Sequence, residues 1–77
     1  MMTEQDISSH IGKRLRHRRV DQRLSLAKVS ARCGVSLQQI HRYETGENII
    51  SAPMLWLIGQ CLGTDVGYFV EDLPPGG

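Results

Sequence analysis

The sequence lacks a long apolar run and any catalytic motif, and no leader is expected from its first residues. No uncharged apolar stretch approaches the roughly 18 residues that a membrane-spanning helix needs. The opening residues, Met1 to Asp6, are polar and acidic, unlike a signal peptide. There is no G-x-S-x-G motif, no phosphate-binding loop and no cluster of metal ligands at suitable spacing. These absences argue against an enzyme and predict a cytoplasmic protein with no cofactor, metal, membrane segment or small-molecule ligand.

Cysteine is also scarce, since the 77 residues include only Cys33 and Cys61. The two lie far apart in the sequence, within apolar patterns, which favours buried free thiols in a reducing compartment. A disulfide is disfavoured but stays open as an alternative. A chain of this length forms one small domain that buries roughly 60% of its unfolded surface. We therefore expect modest stability.

Basic residues are absent from the last part of the chain. All nine lie between Lys13 and Arg42, where Asp21 is the only acid, so this segment carries a net charge of +8. Residues 43–77 contain five acids and no Lys or Arg. Such asymmetry indicates one face suited to a polyanion and another kept away from it. The alternative is a chance cluster of charge on an exposed first helix.

Apolar spacing and capping residues predict five helices and no strand. In the first, from about Asp6 to Asp21, isoleucine and leucine recur every four positions. The second spans 26–33, and Gly34 after it suits a left-handed conformation. The fourth starts after Ser51, and the fifth runs from Thr64 or Asp65 to about residue 70. Because so short a turn follows the second helix, the third must cross it steeply, as in a helix-turn-helix.

The third helix, within residues 35–46, has signals at both ends. Ser36 is a good N-cap, Gln39 completes an S-x-x-Q capping box, and Gly46 suits the C-terminal stop. Ile40 and Tyr43 share a face that can be buried. The side chains that point elsewhere are Leu37, Gln38, His41 and Arg42. Their amide and guanidinium groups can recognise base edges in a DNA major groove, although a merely solvated polar face is the alternative.

Several segments together resemble the helix-turn-helix repressors of the phage Cro/CI type, also called the XRE family. These are Gly12-Lys13-Arg14-Leu15-Arg16, Leu24-Ser25, Gly34-Val35-Ser36, Gln38-Gln39-Ile40 and Tyr43-Glu44-x-Gly46-x-Asn48. The resemblance covers about residues 8–72. It implies an all-α, compact five-helix lambda-repressor-like domain over residues 6–72, with the helix-turn-helix at 26–45 and the recognition helix at 37–45. Residues 1–5 and 73–77 are expected to be flexible.

The resemblance also implies roles for individual residues. The base-reading positions fall on Leu37, Gln38, Gln39, His41 and Arg42. The phosphate-contacting positions fall on Ser25, Ser36, Thr45 and Asn48, to which the basic side chains Arg14, Arg18 and Lys28 are added. A buried ion pair between the first and third helices is implied for Arg19 and Glu44.

Three residues depart from the family pattern. Leu26 replaces a glutamine that often braces the DNA backbone, and Ile49 replaces a residue that is often basic. Ser30 replaces a small alanine and must find a backbone partner if it is buried. These changes leave the fold intact, but they weaken individual phosphate contacts or create an apolar patch around Leu26 and Ile49 that meets a protein.

The leading hypothesis is a bacterial or phage transcriptional regulator, a repressor that binds a palindromic operator in double-stranded DNA as a homodimer. The apolar residues Tyr68, Phe69 and Val70 are expected to offer surface for the two-fold contact, and the alternative is that these aromatics, at least one of them, close the core. The alternative is a protein-interaction module, an antitoxin or anti-regulator, built on the same fold.

Overall fold

The molecule, a computed structural model, is described over residues 1–74, which contain five helices and no strand. The helices are α1 (Glu4–Asp21), α2 (Leu26–Cys33), α3 (Leu37–Thr45), α4 (Ala52–Cys61) and α5 (Val66–Val70). The predicted all-α architecture is thus confirmed. Of the predicted flexible tail, residues 75–77 lie outside the described residues. Within residues 1–74, no helix combines the length and the apolar character needed to cross a membrane.

Helix α1 begins earlier than the apolar pattern indicated. It starts at Glu4, so the prediction of a flexible segment over residues 1–5 is wrong for Glu4 and Gln5, which are helical. Thr3 Oγ1 accepts a hydrogen bond from the Asp6 backbone N–H at 3.1 Å, and the Thr3 N–H donates to Asp6 Oδ2 at 2.9 Å. These bonds form a capping box and lower the pKa of the Asp6 carboxyl. The cap lies upstream of Ile7, the first residue of the apolar stripe, which is why periodicity alone missed it.

The other helix ends follow the predicted local signals. Ser25, Ser36 and Ser51 each accept a hydrogen bond from the backbone N–H three residues later, as N-caps do. Gly34 adopts the left-handed conformation at φ 69° and ends α2. The half-buried Ser30 hydroxyl donates to the Val35 carbonyl and thereby finds the backbone partner that its position requires. The α2–α3 turn is therefore specified by its own residues.

A single core lies between the five helices. Its buried side chains are Leu15, Val29, Ile40, Tyr43, Leu55, Ile58, Leu62 and Phe69. Helix α1 packs against α3 on one side and α5 on another. Because Phe69 is fully buried, it closes the core and is not available for a contact between two copies. Of the three residues expected at the dimer contact, Val70 is exposed and Tyr68 is half-buried, so the alternative that the residue closes the core holds for Phe69.

The two cysteines are neighbours in the fold although they are far apart in the sequence. Both are free and half-buried, not fully buried. Cys61 Sγ lies 3.5 Å from the Arg32 carbonyl oxygen, to which it donates. Burial, together with the neighbouring Cys61 thiol, raises the pKa of Cys33 to about 12. The Cys33 thiol is therefore protonated at neutral pH and is a poor nucleophile.

Candidate nucleic-acid interface

The outward face of α3 is exposed and mostly polar. Leu37, Gln38, His41 and Arg42 are all exposed along it, whereas Ile40 on the opposite face is fully buried. Arg42 lies 3.9 Å from Glu47, and both side chains are more than half exposed, so their attraction is weak. The amide of Gln38 and the guanidinium of Arg42 are thus free to meet a ligand. These are the groups that pair bidentately with adenine and guanine.

The inner face of α3 is fixed to α1 by a bidentate ion pair. Arg19 Nε donates to Glu44 Oε2 at 2.6 Å, and Arg19 Nη2 donates to Glu44 Oε1 at 3.0 Å. Arg19 Nη1 donates to the Leu24 carbonyl at 2.8 Å. The hydrogen bonds to Glu44 raise the pKa of Arg19 above its usual value. With side-chain exposures of 13% and 4%, this pair ties α3 to α1 and to the loop before α2.

Helix α3 also approaches α1 unusually closely at Gly12. A Cβ at that position would lie 2.3 Å from the Tyr43 carbonyl oxygen and 2.6 Å from that of Glu44. Only glycine therefore allows the two backbones to meet here. At the end of α3, Gln5 Nε2 donates to the Gly46 carbonyl at 3.0 Å. Helix α3 is thus positioned by α1 at both places, and one of the contacts comes from Gln5, a residue that was predicted to be flexible.

Gln39 differs from its neighbours on α3. The Ser36 hydroxyl accepts from the Gln39 backbone N–H at 3.1 Å, which is half of the predicted capping box. The other half is absent among residues 1–74, because Gln39 Oε1 instead accepts from Asn48 Nδ2 at 3.1 Å. Gln39 is half-buried at the flank of the outward face. Sequence spacing could not reveal this partner, which lies in the loop after the helix.

The residues predicted to contact phosphate differ in how available they are for such a contact. Ser25 and Ser36 are exposed at the N-termini of α2 and α3, where backbone N–H groups and the helix dipole favour anions. Lys28 is exposed in the first turn of α2. By contrast, Thr45 Oγ1 donates its only proton to the Arg42 carbonyl at 3.1 Å. A phosphate contact from Thr45 would require that bond to break.

Arg14 and Arg18, which were expected to contact phosphate, instead have partners inside the protein. Arg14 donates to the Tyr68 carbonyl at 2.9 Å and to the Glu71 carboxylate at 3.0 Å, and it lies 4.0 Å from the Tyr68 ring centroid. Arg18 donates to the carbonyls of Leu62 and Gly63 at 2.9 and 3.0 Å. Both guanidiniums satisfy carbonyls at the ends of α4 and α5, so they stabilise the fold.

Leu26 contributes little to the apolar patch that was proposed around Leu26 and Ile49. Leu26 is half-buried and packs against the core. Ile49 is 66% exposed and lines a shallow groove with Ile7, Ile11 and Ile50. Leu26 therefore replaces the usual polar side chain with a contact to the core, and it offers little surface to a partner.

Taken together, the helices α2 and α3, their tight turn and the outward polar face of α3 define a helix-turn-helix module. The family model described as "Helix-turn-helix domain" matches residues 10–67. The chain belongs to this family, and its features are those of the XRE type.

Similar proteins include several named as regulators. An uncharacterised transcriptional regulator in the ATPase CF(0) region of Rhodospirillum rubrum is 41% identical over 91% of this chain and 65% of its own length. An uncharacterised helix-turn-helix-type transcriptional regulator of Sinorhizobium medicae is 39% identical over 92% of this chain and 51% of its own length. The chain spans between 46% and 65% of the length of the curated relatives it matches.

Two solved structures share the fold. The crystal structure of an HTH_3 family transcriptional regulator from Vibrio cholerae has a TM-score of 0.84 and 28% identity, covering 88% of this chain and 38% of that one. The crystal structure of Fe(II) HppE in complex with substrate has a TM-score of 0.77 and 25% identity, covering 91% of this chain and 39% of that one. The same domain therefore occurs in chains with different functions, so function must be argued from the site.

Proposed function

We propose that this protein is a sequence-specific double-stranded DNA-binding regulator, a repressor that binds a palindromic operator as a homodimer. The observation that carries the proposal is the outward face of α3, where Gln38 and Arg42 are exposed on a helix that Arg19 and Glu44 hold rigidly. A helix fits the major groove, and these two side chains can pair with adenine and guanine. The names of the relatives favour this function over the protein-interaction alternative.

Base recognition predicts a loss of discrimination without a loss of general affinity. Replacing Gln38 or Arg42 by alanine removes a bidentate pair worth about 1–3 kcal/mol against the wrong base. Each variant should relax preference at one position per half-site and leave affinity for scrambled DNA nearly unchanged. The measurement is a titration of a site selected from random DNA and a scrambled site. An unchanged ratio of the two affinities in both variants would show that α3 does not recognise bases.

Phosphate attraction predicts a different response from the basic residues of α1 and α2. Lys28→Ala should weaken binding to all sequences alike and lower the salt slope of the affinity by roughly one unit, because one phosphate contact is lost. Arg18→Ala should leave that slope unchanged, since Arg18 is bonded to Leu62 and Gly63. It should instead lower the stability by about 1.5–3 kcal/mol, as expected for lost hydrogen bonds to a charged group. Equal salt slopes for the two variants would contradict this division.

The homodimer follows from the small number of base pairs that one recognition helix can contact. We assign its surface to the outward face of α4, where Trp56 is 54% and Leu57 is 44% exposed. Helix α4 has no charged residue, so two copies can meet about a two-fold axis without burying charge. Trp56→Glu should weaken dimerisation at least about tenfold by placing a charge there. Val20→Glu is the matched control, because Val20 is 51% exposed on α1.

Sedimentation of the free protein and the stoichiometry at saturation on a palindromic site both measure this assembly. Two chains per site are expected for the wild type and for Val20→Glu. One chain per complete site would rule out the dimer, and equal dimerisation of both variants would place its surface elsewhere.

A further inference from the structure

We propose that Asn48 is a positioning residue that controls which hydrogen-bonding groups Gln39 presents to DNA. Through one hydrogen bond, Asn48 occupies the amide oxygen of Gln39 and leaves the two N–H donors of its Nε2 for the ligand. The inference rests on the proposed function and deepens it, because it assigns a chemistry to one position of the recognised site.

The geometry places Asn48 firmly beside the recognition helix. Asn48 Nδ2 donates to Gln39 Oε1 at 3.1 Å, and both side chains are half-buried. The backbone N–H of Asn48 donates to the Arg42 carbonyl at 3.2 Å, after the left-handed turn at Gly46. The loop is therefore bonded to the same helix that carries Gln39. A side chain held in this way loses little further conformational freedom on binding.

The bond gives two adjacent glutamines different chemistry. Gln38 is exposed, and its amide retains both an acceptor and donors, as pairing with adenine requires. Gln39 Oε1 has one of its two lone pairs in use, which reduces its capacity to accept, whereas the N–H donors of its Nε2 have no hydrogen-bond partner within residues 1–74. Its favoured partners are then acceptors, namely guanine N7 and O6, thymine O4 or a phosphate oxygen. The amino groups of cytosine and adenine, which are donors, are disfavoured as partners.

A double-mutant cycle tests whether Asn48 acts through Gln39. The probes are a half-site selected by the wild type and the three single-base variants at each of its positions. Asn48→Ala should reduce the preference at one position by about threefold to tenfold, the range for a single hydrogen bond. In a Gln39→Ala background the same change should have no further effect on preference. Ile49→Ala, at the neighbouring exposed position, is the control and should leave the preference unchanged.

Asn48→Asp is the sharper variant, because a carboxylate can only accept. It should draw Gln39 Nε2 toward the loop and turn Oε1 toward the DNA. The preferred base at that position should then change from one that offers acceptors to adenine or cytosine, whose amino groups donate. Ratios of affinities are compared, so that the added negative charge, which weakens binding to all sequences, cancels.

The outcomes separate the possible explanations. If Asn48→Ala weakens all sequences alike, and does so equally in the Gln39→Ala background, Asn48 contacts phosphate directly and the inference is overturned. A preference that is unchanged in both Asn48 variants overturns it too. If the effect on preference is absent but the wild type still distinguishes selected from scrambled DNA, the proposed function stands without this inference.

The bond itself can be measured without DNA. In the free protein, the side-chain amide protons of Asn48 should be protected from exchange by the bond, and that protection should be lost in Gln39→Ala. Melting curves of each variant confirm that it is folded. Unprotected Asn48 amide protons in the wild type would overturn the inference whatever the DNA binding. A wild type without sequence preference would overturn the proposed function, and the role of Asn48 on DNA with it.

Discussion

Replacing Glu44 by alanine should destabilise the protein by about 3–5 kcal/mol, because it strands the Arg19 guanidinium in a largely buried position. Arg19 makes two hydrogen bonds to Glu44, at 2.6 and 3.0 Å, and its side chain is only 13% exposed. A single small domain has a total stability of only about 5–15 kcal/mol. The expected loss is therefore a large part of what holds this fold together. Urea unfolding and thermal melting both measure it.

A matched control for this prediction is Glu47→Ala. Glu47 also faces an arginine, but at 3.9 Å from Arg42 and with its own side chain 67% exposed. Exposed pairs contribute about 0–1 kcal/mol, so Glu47→Ala should melt close to the wild type. If Glu44→Ala also melted within a degree or two of the wild type, the ion pair would not be a major source of stability.

Replacing Gly12 by alanine should be at least as damaging as ordinary overpacking of a core, which costs about 1–3 kcal/mol. The added Cβ would lie 2.3 Å from the Tyr43 carbonyl oxygen and 2.6 Å from the Glu44 carbonyl oxygen. Both neighbours are backbone atoms, so no flexible side chain can move aside. Helices α1 and α3 must separate instead, which also stretches the Arg19–Glu44 pair. We expect a loss above about 3 kcal/mol, measured by urea unfolding.

The control for Gly12→Ala is Gly67→Ala in α5. The nearest atom to a Cβ at Gly67 is Asp65 Oδ1, a side-chain atom, at 3.2 Å. Alanine is also favoured over glycine in a helix by up to about 1 kcal/mol. Asp65 Oδ1 accepts the N-cap bond of α5 from the Tyr68 N–H, so the two effects oppose each other, and Gly67→Ala should change the stability by less than about 1 kcal/mol. Comparable losses from both glycine substitutions would show that the close approach of α1 and α3 is not what makes Gly12 necessary.

Much of the helical framework could be predicted because its signals are local. The hydroxyls of Ser25, Ser36 and Ser51 bond to backbone groups within three residues, and Gly34 and Gly46 provide left-handed turns. Such signals depend on neighbours in the chain, so they can be recognised from the sequence without knowledge of the fold. The helical spacing of Ile40 and Tyr43 is also a local signal, and it predicts that these two residues are buried and that the other face of α3 is exposed. Gln38 and Arg42 could be identified as candidate base-reading residues because they lie on that exposed face.

The pairing of Arg19 with Glu44 could be predicted from the family resemblance, although no local signal indicates it. They lie 25 residues apart, and no spacing rule joins them. Their pairing was inferred from the resemblance to a family, which carries information about a fold already known. From composition alone, Arg19 is indistinguishable from the other arginines of α1.

The sequence by itself determined the five helices, the steep turn between α2 and α3, the polar outward face of α3 and the concentration of positive charge. Only the tertiary structure decided which charges are available. In the folded chain, Arg14 and Arg18 donate hydrogen bonds to carbonyls at the ends of α5 and α4. Phe69 is buried, and Gln39 accepts a hydrogen bond from Asn48. The physical reason is that a capping bond or an amphipathic stripe is set by neighbours along the chain, whereas a long side chain bonds to whichever group packing brings near it.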